Sequence, residues 1–254
     1  MECIKDVVSF GKRIVQTAAA MLFPYRCPLC EKVQPLPLRL YEDCTWEQLV
    51  CGDCPKKLPW IAEPICKKCG RPIENETAEF CSLCERQARP YLEERGVFSY
   101  RKEMRDSVLR MKFHNHREYL DFYAAAMAGI GKGYIARIRP DVIVPVPMSP
   151  RKRRERGFDQ CRLLARKLSK RTGISTEEKL LVRTRNTLPQ KGLDKRQRRE
   201  NLKGAFYASS DAVLPRKVLL VDDILTTGST VEACCEALLE AGVTQIYVLV
   251  LCLD

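Results

Sequence analysis

Residues 218–230 read V-L-L-V-D-D-I-L-T-T-G-S-T. Four apolar residues lead straight into two adjacent carboxylates, Asp222 and Asp223, and then into a run of small and hydroxylated residues around Gly228. An unbroken apolar run of this length predicts a parallel strand buried on both faces. The acids then stand at its carboxyl end, where open α/β sheets bind ligands. The following turn opens a helix, whose free N–H groups and dipole favour an anion. Gly228 lets the backbone approach closely. The local chemistry asks for a ligand with a phosphate at one end and vicinal hydroxyls beside it. A 5-phosphoribosyl group meets that description, whereas a plain capped turn has no use for two adjacent acids.

Outward from this stretch, strand patterns at 95–100, 141–146, 217–221 and 245–251 alternate with helical patterns at 101–135, 157–171 and 229–241. Phe206 and Tyr207 begin a further short strand, and 184–203 reads as polar, basic and unpatterned. Such alternation predicts an α/β fold with a parallel sheet.

Charge is unevenly spread. The chain of 254 residues carries a net +12. Residues 151–203 hold 19 Lys/Arg against 6 Asp/Glu, net +13, so the remainder sums to −1. The run R-K-R-R-E-R at 151–156 is the densest part, read as a loop after a strand end. Concentrated positive charge points to a polyanionic partner.

The first ninety residues obey different rules. Eight of the 14 cysteines form four C-x-x-C pairs: Cys27/Cys30, Cys51/Cys54, Cys66/Cys69 and Cys81/Cys84. Two such pairs complete a tetrahedral thiolate site, so two structural zinc ions are expected. A disulfide scaffold would suit a small secreted chain instead, and an iron–sulfur cluster is the lesser metal alternative. Spacing leaves the pairing open between a sequential and a crossed arrangement. Cys234, Cys235 and Cys252 lie in apolar patterns and read as buried thiols. Trp46 and Trp60 read as core of the cysteine-rich module, with base stacking the competing role.

Lys12 and Arg13 precede Ile14–Phe23, a faint echo of a signal-peptide core. Gln16 and Thr17 interrupt it, and the apolar spacing from Cys3 to Val15 favours an amphipathic helix. No apolar run reaches the length of a membrane span. The organisation expected is an N-terminal helix at 1–24, a double zinc ribbon at 25–90 and an α/β domain at 91–254.

The 218–230 stretch resembles the PRPP motif of type I phosphoribosyltransferases. That resemblance implies that Asp222 and Asp223 bind ribose hydroxyls, with Mg²⁺ accompanying PRPP, and that Thr226, Thr227, Gly228, Ser229 and Thr230 bind phosphate. Four C-x-x-C pairs, then Met111-Lys112-Phe113, then V-P-V-P-M-S-P-R-K-R-R-E-R-G-F-D-Q at 144–160 and Q-K-G-L-D-K-R-Q-R-R-E-N-L-K-G-A-F at 190–206 together resemble the ComF family of competence proteins. One departure is Asp159, where family members often carry Asn. The resemblance implies a type I phosphoribosyltransferase-like domain behind a double zinc ribbon, a cytoplasmic role in natural transformation, handling of single-stranded DNA and a separate helicase as partner. It implies pyrophosphate or DNA contacts by Arg151, Arg153, Arg154, Arg156, Gln190, Arg196 and Arg199, with Asn201 beside them. Catalysis is left open: a working transferase would move ribose 5-phosphate from PRPP to an acceptor, and no acceptor pocket or catalytic residue is legible. No P-loop is present.

Overall fold

In the computed structural model, which describes residues 24–34, 41–185, 194–209 and 214–254 (backbone only at 195, 196, 198 and 199), the opening stretch lies in the interior of a four-stranded parallel sheet. The strands are β1 (Glu93–Ser99), β2 (Val142–Pro145), β5 (Lys217–Leu225) and β6 (Gln245–Leu253), in the order β1-β6-β5-β2. Val218, Leu219, Leu220 and Val221 are fully buried. Leu219 and Val221 join the core cluster that contains the helices α2 (Lys102–Phe113), α3 (Tyr119–Ile130) and α6 (Gln160–Thr172). Val218 and Leu220 join the opposite cluster, with α8 (Ser229–Glu240) and the antiparallel pair β3 (Leu181–Arg183) and β4 (Phe206–Ala208). Side chains alternating across a strand therefore meet apolar partners on both faces, as a doubly covered parallel sheet requires.

Four local readings change. The strand expected to stop at residue 221 runs on to Leu225, because β6 continues beside it and pairs Asp222 with Val250, Ile224 with Cys252 and Leu225 with Leu253. The acids thus sit within the strand. The helical pattern at 101–135 is three helices, α2, α3 and α4 (Lys132–Ile138). The first break falls at the polar residues 114–118, where Asn115 takes φ 61°, a conformation Asn tolerates better than most residues. The basic run expected as a loop is helical, α5 (Pro150–Arg156), with Ser149 accepting from the Lys152 N–H and Pro150 at its start. The unpatterned segment contains α7 (Lys195–Leu202), opened by a capping box between Asp194 and Gln197.

The described residues of the cysteine-rich region form turns, three short 3₁₀ segments and α1 (Ser82–Arg86). It seats directly on the sheet: Trp60 bridges to Phe98 of β1, and their rings lie 4.5 Å apart. Trp46 packs edge-on to Trp60 at 4.7 Å. Both tryptophans are partly buried and pack against the main core, which accounts for them. Cys161, Cys234, Cys235 and Cys252 are buried, as is Cys44. Residues 1–23, with the expected N-terminal helix and Cys3, lie outside the described residues.

Candidate functional site

Asp222 and Asp223 are both buried, 8% and 5% exposed, at the floor of a cavity of about 600 Å³. Their environments differ. Asp222 accepts from the Cys161 thiol at 3.1 Å and from the Asp223 backbone N–H at 2.8 Å. Burial, with the neighbouring charge of Asp223, pushes its carboxyl up to about 7. Burial acts on Asp223 too, but the Lys112 ammonium at 2.9 Å and the Arg156 guanidinium hold it below its ordinary value. Two adjacent acids thereby divide their labour. The Asp223 environment favours the carboxylate, while that of Asp222 favours the protonated form.

Beyond β5, Thr226, Thr227 and Gly228 form the turn into α8, with Gly228 at φ 83° as the residue before its first turn. A side chain there would be strained by the backbone alone. The Thr227 and Ser229 hydroxyls lie 3.1 Å apart. Thr226 and Thr230 line the same cavity as the acids.

The same cavity has a cationic wall. Of the arginines expected on the 151–156 run, Arg151 and Arg156 line the cavity, whereas Arg153 and Arg154 are exposed on α5 outside its lining. Gln190 lies outside the described residues, as do the side chains of Arg196 and Arg199. Lys152, one of the five cations of the 151–156 run, lines the cavity too, and sequence reasoning missed Lys112 from α2 and Arg183 from β3, which complete the wall. Desolvation and the cations Arg156, Arg183 and Lys112 lower the Lys152 ammonium, and an anionic ligand would relieve that crowding. Lys112 carried one signal, its place in the Met111-Lys112-Phe113 motif. Arg183 carried none.

The eight C-x-x-C thiols gather into two groups, Cys27/Cys30/Cys51/Cys54 and Cys66/Cys69/Cys81/Cys84, with the ligand atoms of each within 4.8 Å of one another. This is the sequential pairing. Sulfurs around a tetrahedral zinc stand ~3.8 Å apart for Zn–S bonds of ~2.3 Å. Cys69 and Cys81 lie 3.8 Å apart, and Cys30 and Cys51 3.5 Å. The Cys51 N–H points at the Cys27 sulfur, 3.5 Å away. Burial and the neighbouring sulfurs push the Cys54 and Cys69 thiols well up, a penalty that a dication removes. The donor set fits zinc.

The second thiol group touches the site. Arg71, two residues after Cys69, donates to the Thr226 and Asp254 carbonyls. Arg89 pairs with Glu232 in the first turn of α8, both side chains being buried.

Comparison with known proteins agrees with this architecture. Residues 18–85 match the double zinc ribbon domain and residues 123–254 the phosphoribosyl transferase domain. The chain is 31% identical over 205 residues to competence protein F of Haemophilus influenzae, covering 78% of this chain and 88% of that one. It is 28% identical over 231 residues to competence protein ComFC of Bacillus subtilis, with 85% and 89% covered. It is 30% identical over 236 residues to the DNA utilization protein YhgH of Escherichia coli, with 90% and 97% covered. No helix among the described residues is long and apolar enough to cross a membrane. A zinc ribbon seated on a phosphoribosyl transferase domain, in a chain aligned almost end to end with these proteins, leaves one assignment: the chain belongs to the ComF family.

Proposed function

We propose that the protein handles single-stranded DNA during DNA uptake and binds a phosphoribosyl ligand, PRPP with Mg²⁺, in the cavity below α5. One observation carries the reading: buried acids and a cluster of cations line one cavity, with Lys112 already paired to Asp223. Vicinal hydroxyls suit the acid pair, because Asp223 accepts from one hydroxyl while Asp222 exchanges a hydrogen bond with the other. The 5′-phosphate suits Thr226–Thr230 at the start of α8. A pyrophosphate, or the backbone of a strand, suits Lys112, Arg151, Lys152, Arg156 and Arg183. Mg²⁺ would be held by Asp222 or Asp223 together with ligand oxygens and would neutralise their charge. Arg153 and Arg154, on the solvent side of α5, extend the cationic surface towards a strand running past the cavity. The relatives' names, competence protein and DNA utilization protein, support the role in DNA uptake.

The deciding experiment is fluorescence anisotropy of a labelled single-stranded oligonucleotide, titrated with zinc-loaded protein at several salt concentrations, with and without Mg–PRPP. Binding that weakens steeply with salt, and that PRPP alters, is the expected result. Absence of binding at low salt would remove the DNA half of the proposal. A second reading, a working phosphoribosyltransferase, is favoured by the same gathering of acids and cations in one cavity, which would stabilise charge developing at C1 and pyrophosphate. Pyrophosphate release from PRPP with a panel of bases as acceptors tests it.

A further inference from the structure

Two consecutive residues at the end of α2 point to different environments. Lys112 turns inward and pairs with Asp223, leaving 13% of its side chain exposed. Phe113 turns out, and at 66% exposure it is the most exposed large apolar side chain among the described residues. A single exposed apolar residue needs no explanation by itself. This one is held. The Arg156 guanidinium, at the end of α5, lies over the Phe113 ring at 5.4 Å. Arg156 is itself anchored by donating to the Gln160 side chain at 3.0 Å, and it lines the cavity. The ring therefore stands at the cavity rim, one guanidinium away from the cationic wall.

We propose that Phe113 is a stacking platform for a base of single-stranded DNA, the cations of the rim holding the adjoining phosphates. The proposal deepens the DNA reading above and rests on it. An aromatic face beside a track of positive charge is the combination by which single strands are held without sequence preference: cations take the backbone and the ring takes the base. A guanidinium on the ring adds cation–π attraction and fixes the ring in place before the base arrives. Charge complementarity selects the occupant. An apolar peptide segment would meet Arg156 and Arg151 with nothing to offer them, whereas a nucleotide offers a phosphate and a stackable aromatic base together. The platform also gives the Met111-Lys112-Phe113 motif a use for both of its last residues, the lysine for the carboxylate and the phenylalanine for a base.

The test separates base from backbone. Anisotropy is measured with a thymidine oligonucleotide and with an abasic strand of equal length, which presents the same phosphates. The parent protein is expected to prefer the thymidine strand by at least about fivefold, the lower end of stacking on an aromatic side chain. Phe113→Ala is expected to lose that preference while keeping its affinity for the abasic strand, and Phe113→Tyr to retain it. An equal preference in the parent and Phe113→Ala overturns the platform and leaves the DNA reading standing. Failure of the parent to bind either strand overturns both.

Discussion

The Arg71 guanidinium donates to the Thr226 carbonyl at 2.7 Å, across 155 residues of sequence. It ties a residue just past the ribbon cysteine Cys69 to the first residue of the turn that opens α8. The buried pair Arg89–Glu232 holds the first turn of α8 just beyond it, so residues 71 and 89 tie down the proposed phosphate loop. Arg71→Ala is expected to weaken Mg–PRPP binding about tenfold, near the value of one charge-assisted hydrogen bond, with zinc content unchanged. Calorimetry and metal analysis on one preparation check both halves. Unaltered affinity would mean that the loop holds its shape without the clamp.

Asp222→Asn combined with Asp223→Asn is expected to reduce Mg–PRPP affinity by two orders of magnitude or more, since the hydroxyl-accepting charges go together. Circular dichroism should show a folded protein. Undiminished affinity in calorimetry would remove the phosphoribosyl reading.

The raised carboxyl of Asp222 has a thermodynamic sign. Its folded value, about 7, lies above the ordinary one, so folding favours the protonated form. Its contribution to stability is full below the unfolded value and is lost as pH rises through 7. Asp222→Asn, which removes the buried charge, is therefore expected to melt a few degrees above the parent at pH 8, with the gap narrowing towards pH 4. Thermal melts across that range measure it. A gap that widens on acidification would contradict the assignment.

Cys27→Ser and Cys51→Ser are each expected to cost the same single equivalent of zinc, and Cys66→Ser the other, following the two thiol groups. Elemental analysis counts the metal. Hydrogen exchange should show local loosening within residues 27–84, because such loops depend on their metal for folding. The Cys27→Ser/Cys51→Ser double variant should still hold one equivalent; loss of both there would point to a crossed pairing, and loss of both in Cys51→Ser alone to a single cooperative unit.

Neutralising Arg153, Arg154 and Arg156 together is expected to lower the salt slope of single-strand binding by about 2, at ~0.7 for each phosphate that no longer faces a cation. A parallel line with unchanged slope would take α5 off the DNA path.

The readable parts of this sequence were those where one element carries its own signal. Val218–Val221 announced a doubly buried strand because both faces demand apolar residues, and the four C-x-x-C pairs announced metal because little else needs that spacing. The strand's true end was hidden: Asp222 and Asp223 look like a terminus until β6 is seen running alongside as far as Leu253. Helix α5 was obscured by its own charge, which has no apolar period, although Ser149-Pro150 before it and Gly157 after it are ordinary helix punctuation. Asp194 and Gln197 were a capping box in plain view. Asp159, the departure from the family pattern, caps α6 by accepting from the Arg162 N–H, a task Asn performs equally well. The cationic wall was legible only in its 151–156 part, not as an assembly. Lys112, Lys152 and Arg183 come from three elements, and only the folded sheet brings them together.

One consequence of the strand order concerns biosynthesis. Among the described residues β1 has one strand partner, β6, and the ribbon rests on β1 through Trp60 and Phe98. As the nascent chain leaves the ribosome, the thiol knots need only local segments and can close early. Their seat cannot form until β6 has been translated and has slotted between β1 and β5. During that interval β1 and its aromatic face wait without a partner, an exposure that slow, non-local parallel pairing imposes. Early metal capture would keep the ribbon's own cysteines out of mischief while the rest of the sheet arrives.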